Sequence, residues 1–310
     1  MVSLEVQKIG FLFPGQGAQS VGMCRGLLDQ HAIARDVFER ASAILGYDLA
    51  DVCLNGPESR LSATEYSQPA LFVSSIAAIE VMRIEQPQIL AQATVAAGLS
   101  LGEYTAVCFA GALDFESSVR LVQRRGQAMQ AAADAVESGM ASVLGLDVDK
   151  LTDVCRQAVE PGEVLQIANL LCPGNIAVSG HKTALARLET VAMEAGAMKV
   201  IPLSVAGAFH TPLMASAVDS LTEALAEMPI VDAKIPVVSN VDARSHTSPD
   251  EIRSLLARQV VSPVRWEESV RQMIADGTQG FFEVGAGRVL RGILRRIDRK
   301  MPAEGFGDDN

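Results

Sequence analysis

Residues 94–111 constrain the fold more than any other stretch, because a short apolar run (TVAA) passes through Gly-Leu-Ser-Leu-Gly into a second apolar run ending at Gly111. The first run suits a buried strand, and the second has the length and spacing of a helix. Joining the two directly needs a turn too sharp for bulky side chains, and glycine at positions 98 and 102 meets that need. A serine at the apex of such a turn, Ser100, is held out from the sheet. The following helix N-terminus turns N–H groups and positive dipole toward charge developing there. The bare G-x-S-x-G pattern is weak evidence, and the bland alternative is a Gly-rich turn with an incidental serine. Its weight comes from the strand before it and the helix after it, a pairing that belongs to the α/β class.

The rest of the chain repeats this logic. Residues 8–13 (KIGFLF), stopped by Pro14-Gly15, predict a buried first strand. Apolar spacing predicts helices over 26–45, 69–82 and 115–135. The rhythm then shortens to a strand over 141–146, a helix over 148–159, strands over 164–170 and 176–180, a helix over 182–195 and a strand over 198–205. This βαββαβ order is that of a ferredoxin-like unit, so 139–200 is expected as a small subdomain inserted into a core of 1–138 and 201–310. Longer elements return after it: a helix over 212–228, a strand over 235–240, helices from Pro249 and Val264, a strand over 280–284 and a basic helix over 288–299. The acidic tail 302–310 is expected to fray.

Composition narrows the function classes. With 49% apolar and 20% charged residues, the 310-residue chain has ample core and is not a disordered segment. Its net charge of −11 argues against a nucleic-acid partner. Five cysteines, an odd number with no CxxC pair, read as reduced thiols of a cytoplasmic protein. The nearly uncharged stretch 86–113 is broken by Pro87, Gly98, Gly102 and Glu103, so no membrane span is expected, and residues 1–10 lack a signal-peptide pattern. No ligand cluster supports a metal or an organic cofactor, and none is expected.

A serine nucleophile needs a base, and the chain has four histidines. His31 falls in a polar helix, His181 after a strand of the small unit and His246 in a polar loop. His210 instead ends a small-residue run and precedes Thr211-Pro212, a helix cap with proline at the first helical position. A helix N-terminus favours neutral imidazole, so Ser100 and His210 become the preferred pair, with no acidic third member declared by spacing. On the 115–135 helix, Leu121, Arg125 and Met129 stack on one apolar face, whereas Arg120, Arg124 and Gln127 lie on a solvated one. A guanidinium there needs an anion, either a protein carboxylate or a substrate carboxylate. The loop 15–19 (GQGAQ) follows the first strand, where α/β folds place ligand contacts, and it matches no nucleotide-phosphate motif.

In combination the segments resemble the malonyl-CoA:acyl carrier protein transacylases over residues 8–298. The patches that carry the resemblance are FPGQG at 13–17, SQPA at 67–70, GLSLGEY at 98–104, QRRG at 123–126 and CPGN at 172–175 running into VSG at 178–180. They continue with GAFH at 207–210, SNVD at 239–242, Arg258-Gln259, PVRW at 263–266 and EVG at 283–285 with Gly287. The resemblance implies an α/β-hydrolase-like core with a ferredoxin-like insert. It also implies transfer of malonyl from malonyl-CoA to the phosphopantetheine thiol of acyl carrier protein, as in fatty acid synthesis, through an ester on Ser100 with His210 as base. By the same resemblance the N–H groups of Gln16 and Leu101 form an oxyanion hole and Arg125 grips the malonyl carboxylate. Gln259 lies where the family orients the histidine, often through a main-chain carbonyl, and Gln68 and Asn169 would line the pocket. Phe209 and Leu101 fit malonyl-selective rather than methylmalonyl-selective members. One position departs: Leu99 stands where the family usually has histidine, which changes the polarity beside the serine. A serine thioesterase would share the elbow without needing Arg125, a non-catalytic carrier-docking module would not need Ser100 and His210, and an acyltransferase loading polyketide carriers would use the same chemistry. An acidic carrier is expected to meet local basic groups, either Lys182, Arg187 and Lys199 or Arg288, Arg291 and Arg295.

Overall fold

The computed structural model describes residues 7–307. In chain order the strands of the larger sheet are β1 (Ile9–Phe13), β2 (Ala93–Gly98), β7 (Val237–Val238), β8 (Ser245–His246), β9 (Gly280–Val284) and β10 (Ala303–Phe306). Those of the smaller sheet are β3 (Ser138–Leu144), β4 (Leu165–Cys172), β5 (Asn175–His181) and β6 (Lys199–Pro202).

β1 lies inside the larger sheet, whose order is β10-β9-β1-β2-β7-β8. Every pairing in it is parallel except β7 with β8. All five residues of β1 are buried, as a parallel strand covered on both faces must be. Phe11 and Phe13 enter the main core, which also takes Leu71, Phe72 and Ile79 from the helix Thr64–Glu85 and Leu121, Val122 and Met129 from the helix Phe115–Asp134. Leu12 points the other way, into a cluster with Trp266, Leu290 and Leu294. Phe13 pairs with Gly98, so the loops leaving β1 and β2 emerge side by side at one end of the sheet.

The smaller sheet is antiparallel, in the order β4-β5-β3-β6. The helices Val148–Ala158 and Lys182–Glu194 pack on it through Leu151, Val154, Ala184 and Leu188. Met140, Ala168 and Ala177 join the main core instead. β4 is tied to the larger unit where Val264 N donates to Ala168 O and Leu170 N to Val264 O, at 2.8 and 2.9 Å. The fold is mixed α/β, and the element order between Ser138 and Pro202 is the βαββαβ read from the sequence.

Several elements differ from expectation. The helix expected over 26–45 is two, Arg25–Gln30 and Ala32–Leu45, with His31 extended between them at φ −124°. Residues 212–228 form a short 3-10 turn, Pro212–Met214, before the helix Ala215–Glu227. The strand expected over 235–240 pairs only at Val237–Val238, and the hairpin partner β8 had no hydrophobic signature. The tail expected to fray forms β10, pairing parallel with Phe281–Val284 of β9. What the tail lacks in apolar pattern it gains in main-chain bonds: Phe281 N donates to Pro302 O and Gly285 N to Phe306 O, both at 2.9 Å. Residues 308–310 of that tail lie outside the described residues.

Candidate active site

β2 ends at Gly98 and the helix Leu101–Phe109 begins three residues later. A Cβ on Gly98 would lie 1.8 Å from the carbonyl carbon of Gly102, and one on Gly102 would lie 2.1 Å from Phe13 O. Backbone packs against backbone at both places, so only glycine fits. Ser100 between them has φ 51° and ψ −99°, a conformation that β-carbon-bearing residues seldom adopt. The turn is held from outside by Asn240, whose Oδ1 accepts from Ser100 N at 2.7 Å while its Nδ2 donates to Gly98 O at 2.8 Å.

His210 comes from the loop after β6 and also has a positive φ, 63°. The end of the helix Pro249–Gln259 grips it twice. His210 N donates to Val260 O at 3.1 Å, and Nδ1 lies 2.9 Å from Gln259 O. A carbonyl can only accept, so Nδ1 carries the proton and Nε2 is left with a lone pair. Nε2 lies 2.9 Å from Ser100 Oγ and accepts its hydroxyl proton. Burial first, and then the nearby Arg125 charge, push the imidazole pKa down to about 4. The ring is therefore neutral, and it is 3% exposed. The other histidines are elsewhere: His31 faces Glu85 at 3.6 Å, His181 Nδ1 accepts from Val164 N, and His246 lies between Asp242 and Glu251.

Arg125 projects from the apolar face of its helix with Leu121 and Met129 and is 1% exposed. Nη1 donates to Gln68 Oε1 at 2.7 Å, and Nη2 donates to Gln259 Oε1 at 2.8 Å and to Ser100 Oγ at 3.1 Å. Its guanidinium carbon stands 4.8 Å from the Tyr104 ring centroid. Each hydrogen-bond partner is neutral, and Nε has no partner among the described residues. Glu103 is a longer-range neighbour that favours the charged form, without direct contact. The cation is thus desolvated and lacks a carboxylate in contact.

One narrow cleft is lined by Gln16, Gln68, Leu99, Ser100, Leu101, Arg125, Asn169, Phe209 and His210, while Gln259 lies behind its wall. Gln16, in the loop after β1, reaches Thr64 Oγ1 at 3.5 Å. Among the described residues no acceptor takes the backbone N–H of Gln16 or Leu101. Asn169, on β4, has an Oδ1 that no donor meets among the described residues. Leu99 is 8% exposed and belongs to the apolar cluster of Leu12 and Trp266, so beside the serine this position continues an apolar surface. Among the described residues no group of three metal-ligating side chains gathers, and no described helix is long and apolar enough to cross a membrane.

Sequence reasoning missed Glu103 and Asn240. Glu103 Oε2 accepts from Gln259 Nε2 at 2.6 Å and from Asn240 N at 3.1 Å. The signal was present, since Glu103 is a lone charge inside an apolar run one turn after the serine. A buried nucleophile–imidazole–guanidinium constellation of this kind can deprotonate a hydroxyl, attack an activated carbonyl and hold an anionic substituent beside it.

A family model described as an acyl transferase domain matches residues 10–302. The malonyl CoA-acyl carrier protein transacylase of Bacillus subtilis (strain 168) is 40% identical over 98% of this chain and 94% of its own length. That of Escherichia coli (strain K12) is 39% identical over 97% and 96%. Among solved structures, an acyl carrier protein S-malonyltransferase from Vibrio cholerae superposes with a TM-score of 0.91 at 40% identity, covering 97% of both chains. A malonyl-transacylase solved in complex with a holo type II polyketide acyl-carrier protein superposes with a TM-score of 0.92 at 35% identity, covering 97% of this chain and 96% of that one.

Proposed function

The chain belongs to the acyl transferase domain family, and on that premise we propose that it moves malonyl from malonyl-CoA to the phosphopantetheine thiol of acyl carrier protein through a Ser100 ester. Ser100 Oγ attacks the thioester carbonyl as its proton passes to His210 Nε2, and the N–H groups of Gln16 and Leu101 receive the developing oxyanion. The intermediate collapses, the C–S bond breaks and the CoA sulfur takes the proton from His210. The carrier thiol then attacks the ester, gives its proton to His210, and the leaving Ser100 oxygen recovers it. Gln259 O stabilises the imidazolium formed in each half, the part a carboxylate plays in the aspartate-containing triads.

The observation that carries this reading is the Arg125 guanidinium, buried, without a contacting carboxylate, and 3.1 Å from the nucleophile. A malonyl group esterified to Ser100 would bring its carboxylate there, whereas a thioesterase has no use for a cation at that point. Gln68 steadies Arg125, Asn169 offers an unmet carbonyl to the pocket, and Phe209 bounds the acyl group. The larger parallel sheet supports an α/β-hydrolase-like core of 1–138 and 201–310. The order β4-β5-β3-β6 with two helices supports a ferredoxin-like insert at 139–200, widened to Ser138–Pro202 by the strand ends. Intact-mass analysis after mixing with malonyl-CoA tests the reaction. Wild type should gain one malonyl and lose it to a carrier thiol, and Ser100→Ala should gain none.

The acidic carrier would dock near the mouth. Two of the candidate cations are already committed: Arg187 pairs with Glu163 and Glu160, and Arg291 pairs with Glu283 at 3.2 Å. Exposed Lys182 and Lys199 on the small unit, and Arg295 at the last helix, keep that part. Whether the carrier belongs to a fatty acid or a polyketide pathway is tested by offering both to the malonylated enzyme.

A further inference from the structure

Glu103 follows Ser100 by three residues on an apolar helix and is 2% exposed. Burying a carboxyl costs several kcal/mol unless hydrogen bonds replace its water, and here two of the replacements lead back to the reacting groups. One is Asn240 N, from the residue whose side chain clamps the Ser100 turn. The other is the side-chain amide of Gln259.

A primary amide has a donor end and an acceptor end. The Gln259 donor end faces Glu103 Oε2 at 2.6 Å and Ser100 O at 2.8 Å, which leaves Oε1 to accept from Arg125 Nη2 at 2.8 Å. Turned over, the amide would oppose its NH2 to the guanidinium and its oxygen to two acceptors, and three hydrogen bonds would become three repulsions. The nitrogen so held, Nη2, is also the one 3.1 Å from Ser100 Oγ. We propose that Glu103 is a positioning residue for recognition of the acyl carboxylate, acting through the Gln259 amide on Arg125. The inference rests on the malonyl-transfer reading above and assigns Glu103 no contact with substrate. Its Asn240 branch supports the turn for any donor, whereas its Gln259 branch also fixes Arg125 Nη2 and so weighs most on a donor whose carboxylate Arg125 must meet.

The test is the rate of Ser100 acylation by malonyl-CoA and by acetyl-CoA, measured separately on folded protein by intact mass. Glu103→Leu removes the acceptor, and the malonyl-over-acetyl ratio should fall about tenfold, the effect of one well-made hydrogen bond. Glu103→Gln keeps an oxygen for Gln259 and Asn240, and its ratio should stay within about threefold of wild type. Equal slowing of both donors in Glu103→Leu would overturn the proposal in favour of a purely structural carboxyl. A Glu103→Gln ratio as low as that of Glu103→Leu would overturn it in favour of charge alone. Should Glu103→Leu not fold, Gln259→Met removes the same amide, and an unchanged ratio there is equally fatal. Wild type that neither donor acylates would instead dispose of the malonyl-transfer reading itself.

Discussion

Arg125 and His210 meet at one atom: Arg125 Nη2 lies 3.1 Å and His210 Nε2 2.9 Å from Ser100 Oγ, the first donating to it and the second accepting from it. The guanidinium bond favours the alkoxide while the imidazole removes the proton. The same cation disfavours the imidazolium that forms. A carboxylate placed on Arg125 by the substrate relieves that penalty, so recognition of malonyl and basicity of His210 are coupled through Ser100.

The first consequence is a pH profile. Burial, then Arg125, hold His210 at about 4 rather than 6.5, so the base is unprotonated throughout the neutral range. Single-turnover acylation by acetyl-CoA, which has no carboxylate to offset Arg125, should be level from about pH 8 to about pH 5.5 and fall only as pH approaches 4. In Arg125→Ala the fall should begin at higher pH, because only burial then depresses the imidazole. A wild-type fall centred near 6.5 would contradict this environment for the ring.

Stability carries two contributions of opposite sign. His210 titrates below its unfolded value, so its contribution is complete above about 6.5 and is lost as pH falls toward about 4. Glu103, raised by burial from 4.5 to about 7 against the hydrogen bonds of Gln259 and Asn240, contributes fully below about 4.5 and loses this as pH rises through about 7. Glu103→Gln has no proton to lose, so its stability relative to wild type should improve as pH rises from about 5 to about 8. Urea denaturation of both proteins at the two pH values reads the difference. A constant gap would mean that the carboxyl is already ionised at pH 5.

How much of this was visible in the sequence follows from how locally each feature is encoded. Ser100 sits in a strand–turn–helix pattern complete within about eighteen residues. Arg125 breaks an apolar stripe of one helix, and His210 stands out because there are three other histidines and each has a bland setting. Gln259 emerged from resemblance alone: nothing in its helix says that its carbonyl faces a ring from a loop 49 residues earlier. Glu103 and Asn240 were hidden for the same reason, since their bond joins positions 137 residues apart. β8 and β10 escaped because two- and four-residue strands at a sheet edge are specified by main-chain pairing with neighbours rather than by side-chain alternation.

Arg125→Ala should collapse donor selectivity. Acetyl leaves the guanidinium unpaired in its apolar wall, and losing one charge-assisted pair of this kind is worth roughly 2–5 kcal/mol, or about 30- to several-thousand-fold. Competition between malonyl-CoA and acetyl-CoA should therefore favour malonyl strongly in wild type and hardly at all in the variant. Retention of the wild-type ratio would make Arg125 a structural residue and remove the main support for a carboxylate-bearing substrate.

Phe209→Ser should relax a different boundary. Phe209 is 4% exposed, precedes His210, and shares the cleft wall with Leu101, Met129 and Met140. Methylmalonyl keeps the carboxylate and so can still pair with Arg125, but its extra methyl must enter this packed wall. Overfilling a packed site costs roughly 1–3 kcal/mol, about five- to 150-fold in rate. That is a softer barrier than a lost ion pair, because side chains can shift where a missing charge cannot be replaced. Exchanging the ring for a hydroxymethyl group opens space without touching Arg125. The variant should accept methylmalonyl-CoA at close to its malonyl rate while still rejecting acetyl-CoA. If methylmalonyl remains excluded, the limiting contact is not Phe209, and Leu101 and Met129 are the next walls to shorten. If acetyl becomes accepted as well, the change has disturbed His210 or Arg125, and the two sources of selectivity are not separable as drawn.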